Sequence, residues 1–291
     1  MSSLQTPAPP DTVTNPRERD VFIPADVRHA TAFVRWRRRL SWPVGIYTTP
    51  LLVLVLWELL ASCGILDPMY APAPSSIVGT GIDLWRQGVL GPDLVISLQR
   101  VTVGFLAGLA VGVVTGIIGG LLRSGENLLN GLMQVANTIP LLALLPLFVV
   151  WFGIGELPKT IVIAFGAFLP MYLNLFSAIR GVDQRLIEMA RVNSAGRRRL
   201  ISQVLLPGAM PGFLLGLRFS LAYSILGLVA AETINAEKGL GFLITQGQTY
   251  MQVNQVFVGL VIYSVLGLAC DQFVRILERV LLSWRPSYRA T

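Results

Sequence analysis

The sequence predicts an all-α integral membrane protein with about six transmembrane helices and both termini in the cytoplasm. Three observations carry that prediction. The chain is 53% hydrophobic and 13% charged, it holds six separate apolar windows of membrane-spanning length, and its arginines are distributed unevenly. Soluble globular chains carry about 25% charged residues. Half that proportion leaves too little polar surface to cover a soluble fold of 291 residues.

A bilayer core takes about 20 apolar residues in helical form. The six windows are 44–66, interrupted by Glu58; 101–122; 128–155, with Pro140 and Pro146; 160–179, with Pro170; 208–231, with Arg218; and 253–270, which runs on into a charged helical end. One such window also reads as the buried helix of a soluble protein; six in one chain do not. The segment 67–99 is a long outer excursion in which 75–85 reads as an amphipathic interfacial helix.

Orientation follows from the flanking basic residues. With a cytoplasmic N-terminus, the inner flanks hold eighteen arginines and the outer segments only Arg86, Arg100, Lys159 and Lys238. The net charge of +7 is therefore a topology signal, and nucleic acid drops out as a partner. Residues 1–43 read as a disordered, basic cytoplasmic tail, in which Arg35, Arg37, Arg38 and Arg39 with Trp36 and Trp42 form an anchor on anionic membrane lipid. Residues 44–280 form the membrane domain and 281–291 a second cytoplasmic tail. The first apolar run begins near Val44, too late for a cleaved signal. Cys63 and Cys270 lie in apolar runs and give no support to a disulfide framework or a zinc site. The single histidine, His29, lies in the polar tail, which excludes histidine catalysis within the membrane.

Inside the membrane the second window carries Gly104, Gly108, Gly112, Gly116 and Gly120. Steps of four residues drift only about 40° around a helix, so these glycines form a slowly winding groove for close packing of a neighbour. The same groove would serve as a sliding surface during gating. Pro140, Pro146 and Pro170 bend helices and free backbone carbonyls, which suits a path that opens and closes. Arg218 is costly, about 2.5–3.5 kcal/mol for a charge at mid-membrane. Glu58 is expected at a comparable depth and is the natural partner for Arg218, either as a structural ion pair or as part of a polar patch along a translocation path. Glu232, about 21 Å farther along the same helix, is out of reach of Arg218. Asp271 and Arg275 are spaced for an i, i+4 pair at a helix end. Glu58, Pro140, Pro146, Arg218 and Glu232 are thus the translocation-path candidates.

The connection between the fourth and fifth windows, 180–207, holds six arginines and two acids, Asp183 and Glu188. A plain connector needs only a few residues. This one reads as short helix, turn, short helix ending at Pro207, a docking element on the cytoplasmic side. Here Glu188-Met189-Ala190, Ser194 and Leu206-Pro207 resemble the EAA loop of permease subunits of ATP-binding-cassette importers. The offsets from Glu188 to Leu206 and Pro207 agree with that motif. Two positions depart from it: Met189 replaces the first alanine, and Ser194 stands where glycine is usual, with Gly196 two residues on. Pro140-Leu-Leu-Ala-Leu-Leu-Pro146-Leu, Trp151-Phe-Gly-Ile-Gly155, Pro158-Lys159, Gly216-Leu-Arg218, Ala231-Glu232 and Gly239-Leu-Gly-Phe242 are similar to the nitrate/sulfonate/taurine-type members. So is Ala71-Pro-Ala-Pro74-Ser, after the first helix.

The resemblance implies a type I importer permease fold in the cell membrane, with a second and identical permease subunit completing the pore. It also implies two cytoplasmic ATPase subunits that receive the loops, and an extracytoplasmic solute-binding protein. Glu188, Met189, Ala190, Ser194, Gly196, Arg197, Arg198, Arg199, Leu206 and Pro207 become the coupling loop, with Glu188 and Arg197–Arg199 as docking contacts. The chain has no Gly-x-x-x-x-Gly-Lys-Ser/Thr phosphate loop, so it is not an enzyme and binds no cofactor of its own; ATP and Mg belong to the partner ATPase. Sulfonates, taurine and nitrate are the solutes the resemblance suggests, and Arg218 favours an anion; similar permeases import pyrimidine vitamin precursors. The competing reading is an ion-coupled secondary carrier with Glu58, Arg218 and Glu232 as a charge relay.

Overall fold

Every regular element among the described residues is a helix, as expected where lipid leaves backbone polar groups no partner outside their own segment. The computed structural model describes residues 44–193 and 196–282. The predicted tails, apart from Leu281 and Leu282, lie outside that range, as does Ser194. Eleven helices are described: α1 (Val44–Ser62), α2 (Pro74–Arg86), α3 (Leu90–Leu121), α4 (Arg123–Thr138), α5 (Leu141–Phe152), α6 (Glu156–Arg180), α7 (Gln184–Val192), α8 (Arg197–Leu200), α9 (Leu206–Asn235), α10 (Leu240–Thr249) and α11 (Val253–Leu281). A π-helical turn, Ile201–Leu205, joins α8 to α9. The chain divides into two compact units, one ending at Leu56 and the other beginning at Trp57.

Four unbroken helical runs are long and apolar enough to cross a membrane: Leu90–Leu121, Glu156–Arg180, Arg197–Ile234 and Val253–Leu281. The window 128–155 is not one continuous helix. It breaks at Ile139–Pro140, and the two halves meet at 97°. Pro140 lacks an N–H and drives the preceding residue out of the helical region; Ile139 accordingly sits at ψ 123° and Pro140 at ψ 118°. The first window forms α1, whose apolar stretch Thr48–Ser62 is shorter than a full crossing. Among the described residues the count is therefore four continuous spans, or five with the bent pair.

The expected interfacial helix 75–85 is α2, which opens with Pro74 in the first turn, where a missing N–H costs nothing. The rest of the outer excursion is less loop than expected. α3 starts at Leu90, eleven residues before the apolar window does, because Asp93, Ser97 and Arg100 continue the buried face of the helix outward. Pro207 likewise begins a helix rather than ending one. The wide turn just ahead of it accommodates a ring that an α-helical ladder cannot, and Arg197–Ile234 runs as one rod of 38 residues.

α6 lies at the centre of the bundle, packed along its length by α3 on one side and α9 on the other. The glycine stripe of α3 faces it. A Cβ on Gly104 would stand 2.6 Å from Ile163, one on Gly112 2.8 Å from Met171, and one on Gly108 would overlap the Ala164 carbonyl. Gly116 and Gly120 face Leu175 and Ile179 farther along. Across the other face of α6, Ser220 Oγ donates to the Ala167 carbonyl at 2.7 Å and Ser224 Oγ to the Ile163 carbonyl at 3.4 Å. Lipid offers apolar side chains no less than the protein interior does, so close approach and interhelical hydrogen bonds carry the association.

Candidate functional site

The outer ends of five helices are fastened by one buried charge cluster. Glu232, on α9, is 1% exposed. Its carboxylate accepts hydrogen bonds from Ser97 Oγ at 2.8 Å to each oxygen, Arg100 Nη1 at 2.9 Å, the Gly241 N–H at 2.9 Å and Tyr263 OH at 2.9 Å. These donors come from α3, α10 and α11. Arg100 then reaches α6, giving Nε and Nη2 to the two oxygens of Glu156 at 2.7 Å each, and its Nη1 also donates to the Lys238 carbonyl at 2.6 Å. Lys159 adds a 2.9 Å pair with Glu156. Three N–H groups at the start of α10, orphaned as at any helix start, find partners here: Gly239 on Asp93 at 2.9 Å, Leu240 on Ser97 Oγ at 2.9 Å, and Gly241 on Glu232. Gly239 stands at φ +118°, and a Cβ there would lie 2.6 Å from the Glu232 carboxylate. Only glycine serves both the backbone angle and the close approach.

Sequence reasoning placed Arg100 among outer-loop charges and missed Asp93, Ser97, Glu156 and Tyr263 as its neighbours. A signal was present. Asp93, Ser97 and Arg100 stand at steps of four and three, and the same line continues into Gly104 and Gly108; a face that small and polar residues share with a glycine groove is a buried face. Arg100, Glu156 and Lys159 border an open cavity of about 750 Å³ at this end.

Glu58 and Arg218 do not pair. Glu58 accepts hydrogen bonds from the Ser75 N–H at 3.0 Å and Ser75 Oγ at 2.7 Å, so its charge sits on the amino end of α2, where the helix dipole favours an anion. Arg218 instead bridges two acids on α11, Asp271 at 3.2 Å and Glu278 at 3.2 Å. The i, i+4 pair is present, with Arg275 Nε on Asp271 at 2.7 Å. Glu58, Arg218 and Glu232 thus occupy three separate clusters, which removes the geometry a charge relay needs. Arg218 is also neutralised by its own partners and offers no free positive charge to attract an anion.

At the break between α4 and α5, a cavity of about 400 Å³ is lined by Asn137, Thr138 and Pro140 together with Gly166, Asn174 and Tyr223. Asn174 Nδ2 donates to the Pro170 carbonyl at 2.8 Å. Pro146 lies inside α5, one turn beyond the break, and is not among the lining residues. On the cytoplasmic connection, Glu188, Met189, Arg197, Arg198 and Arg199 are exposed, Ala190 is half-buried, and Gly196, Leu206 and Pro207 are exposed.

Residues 108–282 match the family described as binding-protein-dependent transport system inner membrane component. The chain belongs to that family. It is the membrane-spanning permease subunit of an ATP-binding-cassette importer, a multi-pass inner-membrane protein that works with an ATPase subunit and a solute-binding protein. ATP hydrolysis resides in the ATPase subunit. The permease is 41% identical to the putative aliphatic sulfonates transport permease SsuC of Bacillus subtilis, over 87% of this chain and 91% of that one. It is 37% identical to SsuC of Escherichia coli, over 89% and 97% of the two chains. The taurine transport system permease TauC of Escherichia coli is 30% identical, over 86% and 94%. Among solved structures, the inward-facing MetNI methionine transporter aligns with a TM-score of 0.49 at 21% identity, over 62% of this chain and 92% of that one.

Proposed function

We propose that this permease passes small sulfonates, taurine among them, along a path between two identical copies, and that residues 180–207 couple that path to the ATPase. The observation that carries the coupling role is the outer surface of α7. At about 100° per residue, Glu188, Val192, Met189 and Leu186 fall within one arc of the helix. All four are exposed, with Leu186 at 49%, Met189 at 61% and Val192 at 84%. Ile187 and Ala190, on the opposite arc, are half-buried. A short polar-flanked helix in water does not leave three large apolar side chains side by side unless another protein covers them. Met189 in place of the motif's alanine enlarges that apolar surface.

The mechanism follows from how α7 is connected. It is joined directly to α6 and, through Arg197–Leu200, to the continuous rod that becomes α9. A displacement of α7 is passed to α6 through residues 181–183 and towards α9 through the rod that begins at Arg197. Their outer ends are held by Arg100, which bonds Glu156 on α6 and Glu232 on α9 at once. The outer cluster is therefore the fixed point, and the cytoplasmic ends are the moving ones, a rigid-body rocking between two packed states.

The solute class rests on the relatives named for sulfonates and taurine. The cavity at Pro140 supports it: its polar lining of Asn137, Thr138, Asn174 and Tyr223 is uncharged. Hydrogen-bonding groups without a fixed charge let a sulfonate enter and leave, where an unpaired cation would trap it. The face around this cavity leaves Leu132, Val135, Ile139, Leu142 and Phe219 exposed at 42–63%, beside polar Asn137 and Thr138, as a surface meant for a second copy would.

The test is uptake into proteoliposomes holding the permease with its ATPase and binding protein. Radiolabelled taurine or a short alkanesulfonate accumulates only with internal ATP supplied to the ATPase side. ATP hydrolysis that proceeds without uptake of either compound would refute the solute assignment.

A further inference from the structure

We infer that the groove between α2 and the start of α11 receives a lysine or arginine side chain of the extracytoplasmic solute-binding protein, and that Asp83 is the acid that pairs with it. The groove is an open cavity of about 650 Å³. Ser76, Thr80 and Asp83, with Gln87 just past the helix end, line it from α2. At about 100° per residue, steps of four, three and four keep these side chains on one arc. Asn254 and Gln255 line it from the first turn of α11. Val78, Ile82 and Trp85 fall on the far arc of α2 and are exposed by 62%, 47% and 60%, while Ile77 and Leu84, between the two arcs, pack into the core. An interfacial helix turns such an apolar arc to lipid, so the groove opens away from lipid, to water.

Position and charge identify the occupant. The rod that begins at Arg197 ends at Ile234, and α10 carries the chain on to the start of α11 at that same end, where Gln255 Nε2 donates to Gln246 Oε1 of α10 at 3.3 Å. The groove therefore lies at the end of the bundle opposite α7. With α7 on the ATPase, the reading on which this inference rests, the groove faces the binding protein. Asp83 is the one ionisable side chain in the lining. It is exposed, and among the described residues it has no ion-pair or side-chain hydrogen-bond partner. A lone carboxylate repels a sulfonate, so the transported solute is not the ligand here. The groups around Asp83 suit a cation. Ser76 and Thr80 give their hydroxyl protons to the Ala73 and Ser76 carbonyls at 2.8 and 3.0 Å, which leaves their oxygens as acceptors. Lysine and arginine side chains only donate, so an acceptor-rich groove with one carboxylate matches them. Met69 and Met251 complete the lining and are 51% and 69% exposed; methionine adapts to an irregular apolar neighbour. Met251 is held at φ +56°, a left-handed angle uncommon for such a side chain, and backbone strain of this kind gathers where a side chain must be presented.

Binding of the importer's own solute-binding protein to the full-length permease–ATPase complex in nanodiscs, read by biolayer interferometry, tests this. The affinity of the parent falls as salt rises. Asp83→Asn weakens binding about tenfold and flattens the salt dependence; Asp83→Lys abolishes measurable binding, and Asp83→Glu retains most of it. Asp83 is exposed, so the melting temperatures of all three variants stay at the parent's and unfolding does not confound the result. Parental affinity in both Asp83→Asn and Asp83→Lys, with the ATPase retained, would overturn this inference and leave the role of α7 standing. Loss of the ATPase from the Asp83→Lys complex with binding-protein affinity intact would put the groove on the ATPase side and refute both readings. Release of the second permease copy by Asp83→Lys, again with binding-protein affinity intact, would make the groove a contact between copies and overturn the inference as well.

Discussion

Arg100→Gln isolates the contribution of the outer cluster. The substitution deletes the 2.9 Å pair with Glu232, both 2.7 Å bonds to Glu156 and the 2.6 Å bond to the Lys238 carbonyl. Glu156 is 61% exposed and regains water, so its loss is small. Glu232 is 1% exposed and does not; it keeps its neutral donors Ser97, Gly241 and Tyr263 but no counter-charge. Breaking one partner of a buried pair costs about 3–5 kcal/mol, mostly from the stranded charge. Removing that charge as well, in Arg100→Gln with Glu232→Gln, recovers much of the loss, because a neutral amide retains the shape and some of the hydrogen bonds. The net loss of the double variant is about 1–2 kcal/mol. Reversible unfolding in mixed detergent micelles reads both values. The argument fails if Arg100→Gln alone unfolds within about 0.5 kcal/mol of the parent, or if the double variant is no more stable than the single one.

Gly108→Leu drives a side chain into the Ala164 carbonyl of α6 and destabilises the bundle by about 3 kcal/mol or more, since backbone cannot move aside as a side chain can; a melting temperature equal to the parent's would count against the α3–α6 contact. Glu58→Ala removes the anion from the start of α2 and weakens that helix start, yet ATP-driven uptake persists when the proton gradient is collapsed, whereas a charge relay through Glu58 would stop. Glu188→Lys leaves insertion and binding-protein docking intact and abolishes uptake together with solute-stimulated ATP hydrolysis; unchanged coupling would remove α7 from the mechanism. In a variant with Cys63 and Cys270 replaced by serine, Ile139→Cys cross-links two copies through the exposed face beside the Pro140 cavity, and persistent monomer under oxidation would place the second subunit elsewhere.

Several features were legible without coordinates because they depend on local composition. The glycines of α3 repeat at helical spacing and mark a groove for close packing. The interfacial helix at 75–85 announced itself by amphipathic pattern, and the long cytoplasmic connection by its length and arginines. Pro140 was marked as a bend, but its size was not. A proline says that the ladder is interrupted, while the 97° angle between the two halves is set by what each packs against. Arg218 and Glu58 show the limit more sharply. Arg218 was recognised as a charge too costly to leave alone in lipid and Glu58 was expected to be its partner, but each has other partners. The sequence offered several acids to one arginine, and depth along separate helices does not say which helices are adjacent.

The sequence by itself determined that the chain is a multi-pass membrane protein, and its basic flanks and the connection 180–207 set the expectation of which end and which segment face the cytoplasm. Hydrophobic run length, basic flanks and helical periodicity are properties of contiguous residues and need no knowledge of neighbours. Tertiary structure alone decided that Arg100, Glu156, Glu232 and the start of α10 converge at one outer clamp, and that Arg218 belongs with Asp271 and Glu278. Those groups are brought together by helix packing across up to 146 positions of sequence, as between Asp93 and Gly239, and an ion pair forms only where packing puts two charges within a few ångströms with no water to compete.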